Sequence, residues 1–294
     1  MYDDILFPTD GSDPAASALE YALDVASEHD ATIHVLNVAD TSRDSLARTG
    51  DEVIDALERE GRQIVDEAAG RARERGVSVV TAVFRGDPYN AIVEYSEQSA
   101  VDCIVLPTHG RRGIQRFLLG SVTERVINTA SVPVIAVNPG RGRARRYPCR
   151  QLLVPTDGSR GAELAVRHGI AVANATGATL HLLHVVETGR LGPDARSTLD
   201  EDEFPERATE IVAEAVNTAE SASVDAVTGT IEAGDPSREI RAYVDANAID
   251  LAILGTHGER EFNRYVMGGV SAKIVRTSPV PVVWVRVPES DDGS

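Results

Sequence analysis

The sequence predicts an α/β chain built from two doubly wound domains, each with a five-stranded parallel sheet. Three observations carry this. Landmarks recur in the same order about 150 residues apart, and short β-branched apolar runs alternate with stretches of helical period. Those runs are apolar almost without interruption, as parallel strands covered on both faces must be.

The repeat decides the domain count. Phe7-Pro8-Thr9-Asp10-Gly11-Ser12 is answered by Val154-Pro155-Thr156-Asp157-Gly158-Ser159, an offset of 147 from Asp10 to Asp157. Gly86-Asp87-Pro88 is answered by Gly234-Asp235-Pro236, Thr108-His109-Gly110 by Thr256-His257-Gly258, and Pro133 by Pro281, all at an offset of 148. A period this long means duplicated domains rather than a solenoid. The domains are expected at 1–139 and 149–288, joined by 140–148. The stretch Asn138 to Pro148 is rich in Gly, Pro and Arg and reads as a solvated linker that does not pack as core. A basic nucleic-acid patch there conflicts with the acidic surroundings.

In the first copy the strand-like runs are Ile5 to Phe7, Thr32 to Val38, Val77 to Phe84, Asp102 to Pro107 and Val132 to Val137. Helical period fills Ala15 to Ser27, Val53 to Ala72 and Tyr89 to Ser99. Along the longest, Val53, Ile54, Leu57, Gly61, Ile64, Val65, Ala68 and Ala72 form one apolar stripe opposite Arg, Glu and Asp. Right-handed crossovers between such strands put ligands beyond their carboxyl ends, so the loops after strands one and four matter most.

Composition narrows the function. Hydrophobic residues make up 42% and charged residues 26%, a globular balance. No apolar run reaches the roughly 18 residues of a membrane span, and the start of the sequence reads as a strand rather than a signal peptide, so a cytoplasmic place is expected. Cys103 sits in an apolar run and Cys149 in the arginine-rich linker; neither has metal-ligand spacing, and both fit a reducing compartment. Formal charge is −17, and Lys273 is the only lysine among 29 basic residues. That reads as a salt-adapted surface, the rival reading being acidity aimed at a basic partner, and such a charge is expected to repel nucleic acid and anionic membrane.

The chemistry lies in the loops. Gly255-Thr256-His257-Gly258 is followed after nine residues by Gly268-Gly269-Val270, and Pro107-Thr108-His109-Gly110 after nine residues by Gly120-Ser121-Val122. Glycines there let the backbone approach anionic oxygens, and free N–H groups at the following helix start bind phosphate.

This spacing of Gly, two residues, Gly, nine residues, Gly and then Ser or Thr resembles the nucleotide-binding universal stress proteins. Pro-Thr-Asp-Gly-Ser, Gly-Asp-Pro and the Val-Pro-Val last strand extend the resemblance over essentially the whole chain. It implies a Rossmann-like domain of the adenine nucleotide α-hydrolase type, here a tandem member expected from a salt-adapted archaeon. It implies ATP or AMP as ligand, with or without Mg2+. By position, Asp10 and Asp157 become adenine or ribose contacts, with Val38 and Val185 beside the base. Gly110, Gly120, Ser121 and Val122 become phosphate and ribose contacts, as do Gly255, Gly258, Gly268, Gly269 and Val270. Pro8, Thr9, Leu106 and Arg111, with Pro155, Thr156 and Leu254, complete the two sets.

Each copy departs once from the pattern. Pro107 replaces the opening glycine and removes an N–H donor; Gly269 replaces Ser or Thr and removes a hydroxyl. Losing one hydrogen bond to a charged phosphate weakens a site by about ten- to hundred-fold. Arg111, Arg112 and Arg116 can meet phosphate in the first spacer, whereas Glu259 and Glu261 flank Arg260 in the second, so the first pocket is the better expected ATP site. His181 and His184, three apart on a strand, point to opposite faces and make a poor metal pair. His109 and His257 have no orienting acid or nucleophile at fixed spacing, so no catalytic residue is expected. The expected function is nucleotide-responsive binding that alters recognition by a partner protein under stress, with slow hydrolysis or self-phosphorylation as a side activity. The alternatives are a dimerisation scaffold with empty pockets, or an α-hydrolase-type enzyme, which needs pyrophosphate-gripping motifs that the sequence lacks. The apolar last strands, Pro133 to Val137 and Val280 to Val285, are expected at sheet edges, pairing the copies within one chain or across a homodimer, with Trp284 in that strand.

Overall fold

The protein's structure, a computed structural model, describes residues 1–41, 51–110, 119–138, 147–187, 205–255 and 269–287. It divides into two compact units, Met1–Tyr147 and Pro148–Ser294. The first runs β1 (Asp4–Pro8), α1 (Asp13–His29), β2 (Thr32–Asp40), α2 (Asp51–Glu74), β3 (Val79–Gly86), α3 (Pro88–Gln98), β4 (Cys103–Pro107), α4 (Ser121–Thr129) and β5 (Val134–Val137). The second repeats it as β6 (Gln151–Pro155), α5 (Arg160–Thr176), β7 (Thr179–Glu187), α6 (Glu206–Ser221), β8 (Val227–Gly234), α7 (Pro236–Ala246), β9 (Leu251–Gly255), α8 (Gly269–Thr277) and β10 (Val282–Val285).

All ladders within each unit are parallel, in the order β3-β2-β1-β4-β5 and β8-β7-β6-β9-β10. The expected fold class is therefore the observed one, and β5 and β10 each end their own unit's order. Helices α1 and α2 pack together, with Arg71 and Arg75 on Glu20 and Asp24, while α3 packs with α4. The central strands are fully enclosed, with Ile5, Leu6 and Phe7, and again Leu152, Leu153 and Val154, at 0% exposure.

Local sequence explains the starts and stops. Ser12 Oγ accepts from the Ala15 amide and Ser159 Oγ from the Ala162 amide, capping α1 and α5 alike. Asp30 and Gly177 close the same helices in the left-handed region, at φ 52° and 70°. We expect Ser12→Ala and Ser159→Ala each to lower stability by about 1 kcal/mol in urea unfolding, because the two caps are equivalent. Strand β3 starts two residues later than its apolar run. Val77 is held by the helix instead: Gly76 takes φ 74° and the Val77 amide donates to the Ala72 carbonyl at 3.0 Å.

The linker reading needs correction at its far end. Tyr147 is buried and its hydroxyl meets His29 Nε2 at 2.6 Å, while Tyr2 packs edge-on against the same imidazole at 5.2 Å between centroids. Cys149 is 1% exposed, its Sγ 3.8 Å from Thr176 Oγ1, and burial pushes its thiol up to about 11. Charge count and Gly/Pro content described the arginines and missed these two anchors. Cys103 is likewise sealed in β4, its thiol raised by burial. Residues 139–146 of the linker lie outside the described residues.

Candidate functional site

The strand order reverses between β1 and β4, and again between β6 and β9, so the loops that follow these strands face one another within each unit. After Pro8 the chain turns through Thr9, Asp10 and Gly11 into the cap of α1. The turn is locked from within. The Thr9 amide donates to the Leu36 carbonyl at 2.8 Å, Gly11 N–H to Thr9 Oγ1 at 3.2 Å, and Ser12 N–H to Asp10 Oδ1 at 3.0 Å. Gly11 adopts φ 72°, which the turn requires.

One carboxylate oxygen of Asp10 thus holds its own loop. The other, Oδ2, lies against Gly110 from the loop after β4: a Cβ on Gly110 would stand 2.5 Å from it. Two residues singled out in separate parts of the sequence are brought together here, and only glycine leaves that carboxylate its place.

The helix start that closes this crevice is α4. Gly120 is its N-cap, with no side chain accepting from the first turn. The Gly120 amide itself donates to the Thr108 carbonyl at 2.8 Å, so it is taken up by the loop rather than offered to a phosphate. The helix's own ladder begins with Glu124 N–H on the Gly120 carbonyl at 2.9 Å, which leaves the preceding amides of Ser121, Val122 and Thr123 as the donors of this helix end. Thr123 Oγ1 donates to the Pro107 carbonyl at 2.9 Å and fixes α4 to the end of β4.

The second unit repeats the turn bond for bond. The Thr156 amide donates to the Leu183 carbonyl at 2.8 Å, Gly158 N–H to Thr156 Oγ1 at 3.4 Å, and Ser159 N–H to Asp157 Oδ1 at 3.0 Å. Ser271 Oγ reaches the Gly255 carbonyl at 3.5 Å, where Thr123 stands in the first unit.

Gly255 has a role that its motif did not reveal. A Cβ there would lie 2.5 Å from both the carbonyl carbon and the oxygen of Gly161, in the first turn of α5. Its lack of a side chain serves the packing of helix on strand. At the corresponding place in the first copy, Pro107 and the Pro14 of α1 replace this pair of glycines.

The remaining site residues divide by exposure. Val38 and Val185 are half-buried on β2 and β7, Val38 in register with Phe84, and Pro155 is half-buried. Pro8, Thr156, Leu106 and Leu254 are buried, the two leucines at 4% and 5%, so they are walls of the core beneath the crevice. Ser121, Gly269 and Val270 are exposed. Arg111, Gly258 and Gly268 lie outside the described residues, as do Arg112, Arg116, His257, Glu259, Arg260 and Glu261.

His109 is half-buried with Nδ1 3.2 Å from Thr108 Oγ1, and desolvation lowers its pKa, so the imidazole is neutral at pH 7 and adds no cation to the crevice. His181 contacts Tyr243 and Gln151 at 3.0 and 2.6 Å, whereas His184 Nδ1 donates to the Thr156 carbonyl at 2.8 Å. That last bond matches Asn37 Nδ2 donating to the Thr9 carbonyl at 2.7 Å. Asn37 and His184 therefore hold the turn that follows β1 and β6 in the two copies. Sequence reasoning missed both, although a polar side chain just before Val38 and Val185, in apolar strands, was the available signal.

The repeated Gly-Asp-Pro is a capping device. Asp87 accepts from the Asn90 amide and Asp235 from the Arg238 amide, each at 3.0 Å. Asp87 also pairs with Arg125 of α4 at 3.6 Å and Asp235 with Lys273 of α8 at 4.0 Å.

Comparison with known proteins agrees with this fold. Universal stress protein MJ0531 of Methanocaldococcus jannaschii is 39% identical over 140 residues, covering 47% of this chain and 82% of its own length. A universal stress protein of Mycolicibacterium smegmatis is 25% identical over 293 residues, covering 96% of both chains. The crystal structure of a universal stress protein from Archaeoglobus fulgidus superposes with a TM-score of 0.74 at 26% identity, covering 98% of each chain. The model of the universal stress protein family matches residues 1–138 and again 148–286, and the chain therefore belongs to that family, with two of its domains in tandem.

Proposed function

We propose that the protein is an adenine-nucleotide-responsive binding protein, taking ATP or AMP in the crevice between the loops after β1 and β4 and in its counterpart in the second unit. The observation that carries this reading is the Asp10 carboxylate. One oxygen is fixed by the Ser12 amide, the other faces Gly110, and a glycine-capped helix start stands beside that loop. A carboxylate so oriented accepts from an adenine amino group or a ribose hydroxyl, and helix-start amides donate to phosphate oxygens. Occupancy then reshapes the loop after β4 and with it recognition of a partner protein under stress, in the cytoplasm of a salt-adapted cell. Mg2+ is the expected companion of a triphosphate.

Calorimetric titration of ATP, ADP and AMP, with and without Mg2+, tests the reading. Gly110→Ala displaces only the end of the Asp10 side chain, so affinity in the first pocket should fall about tenfold or more while circular dichroism and unfolding stay as in wild type. A folded wild-type protein that takes up none of the three nucleotides overturns the reading.

A further inference from the structure

Helices α7 and α8 of the second unit flank an open groove of about 460 Å3 that Arg238, Arg241 and Lys273 line. In a chain of net charge −17, three cations against one lining carboxylate, Asp245, are a local reversal of sign. Lys273 is steadied by Asp235 at 4.0 Å, and among the described residues Arg238 and Arg241 stand in no ion pair. Ser237 and Thr277 also line the groove, their hydroxyls donating to Asp235 Oδ1 and to the Lys273 carbonyl.

The first copy supplies the comparison. At the offset of 148, Tyr89, Asn90 and Val93 stand where the second copy has Ser237, Arg238 and Arg241, and Glu94 and Glu97 where it has Ala242 and Asp245. Only the cation of α8 is kept, as Arg125, and that guanidinium lies over the Tyr89 ring at 3.7 Å. The pair α3 and α4 packs without these arginines, so the fold does not need them.

We propose that this groove binds a linear oligophosphate. Guanidinium groups recognise phosphate oxygens in bidentate fashion, and a helix-borne pair one turn apart suits successive phosphates. Among the described residues Ala242 is the one apolar residue lining the groove, and it offers no seat for the aromatic or aliphatic anchor of a protein partner. The ligand's source is either an inorganic chain or the triphosphate tail of a nucleotide. None of the residues lining the groove belongs to the set assigned to the nucleotide crevices.

The test is titration of inorganic tripolyphosphate, and separately of ATP, into the full chain, read by calorimetry and by phosphorus NMR at low and high salt. In Arg238→Gln/Arg241→Gln the tripolyphosphate affinity should fall at least about tenfold. Loss of tripolyphosphate alone assigns the inorganic chain; parallel loss of ATP binding assigns the nucleotide tail. Wild type silent towards ATP, ADP and AMP but binding tripolyphosphate through the two arginines leaves this proposal standing and overturns the nucleotide reading of the crevices. A folded double variant that binds tripolyphosphate like wild type overturns the oligophosphate site.

Discussion

Gly255→Ala is expected to destabilise the second unit by about 3 kcal/mol, the upper end of what overpacking costs. The new Cβ would press on the Gly161 backbone at 2.5 Å, and a carbonyl inside a helix turn has no rotamer by which to withdraw. Relief requires α5 to move off β9, whose Leu251 to Ile253 are at most 1% exposed, so the shift opens the core. Trp284, 1% exposed and in register with Leu254, is the reporter. Its fluorescence should follow the urea unfolding of this unit with a clearly lowered midpoint in the variant. An unchanged midpoint would falsify the packing role. The contrast with Gly110→Ala is instructive, because there the same 2.5 Å approach is to a carboxylate end that can swing away.

Acid should weaken the protein through His168. Desolvation on α5 brings its imidazole down from the ordinary 6.5 to about 4. Between those values the unfolded chain binds a proton that the folded chain refuses, so stability is complete above pH 6.5 and drains away as pH falls towards 4. The full window is worth about 3 kcal/mol. His29, His109 and His181 are lowered by burial too and act in the same direction. Urea midpoints at pH 7.5, 5.5 and 4.5 measure the slope. His168→Tyr, which installs the residue that the first copy carries at Tyr21, should flatten it; a variant as acid-sensitive as wild type removes His168 as the cause.

Most of the fold was legible because two periodicities and a repeat all pointed one way. Strands such as Ile104 to Leu106 are apolar on every residue, and α2 shows its stripe over six turns. The turn after β1 is local in origin too: in Thr-Asp-Gly-Ser the Asp10 side chain takes the Ser12 amide, Gly11 takes positive φ and Ser12 caps α1. What escaped was tertiary in origin. Gly255 looks in sequence like a ligand glycine, yet its neighbour Gly161 is 94 residues away and nothing local betrays their approach. The Gly120 amide looked available until the Thr108 carbonyl was seen to hold it. Tyr147 and Cys149 sit beside arginines, and composition averaged over such a stretch hides single residues that turn inward.

Tyr2 and Tyr147 both rest on the imidazole of His29, so the first unit begins and finishes at one place. A domain whose ends meet is topologically close to a ring. Its chain can be sealed there by a few glycines and opened at another surface loop without disturbing a strand. The same closure explains how a duplicated copy can be spliced on in series: the exit from one domain lies where its entry was, and fusion demands no rearrangement of what has already folded.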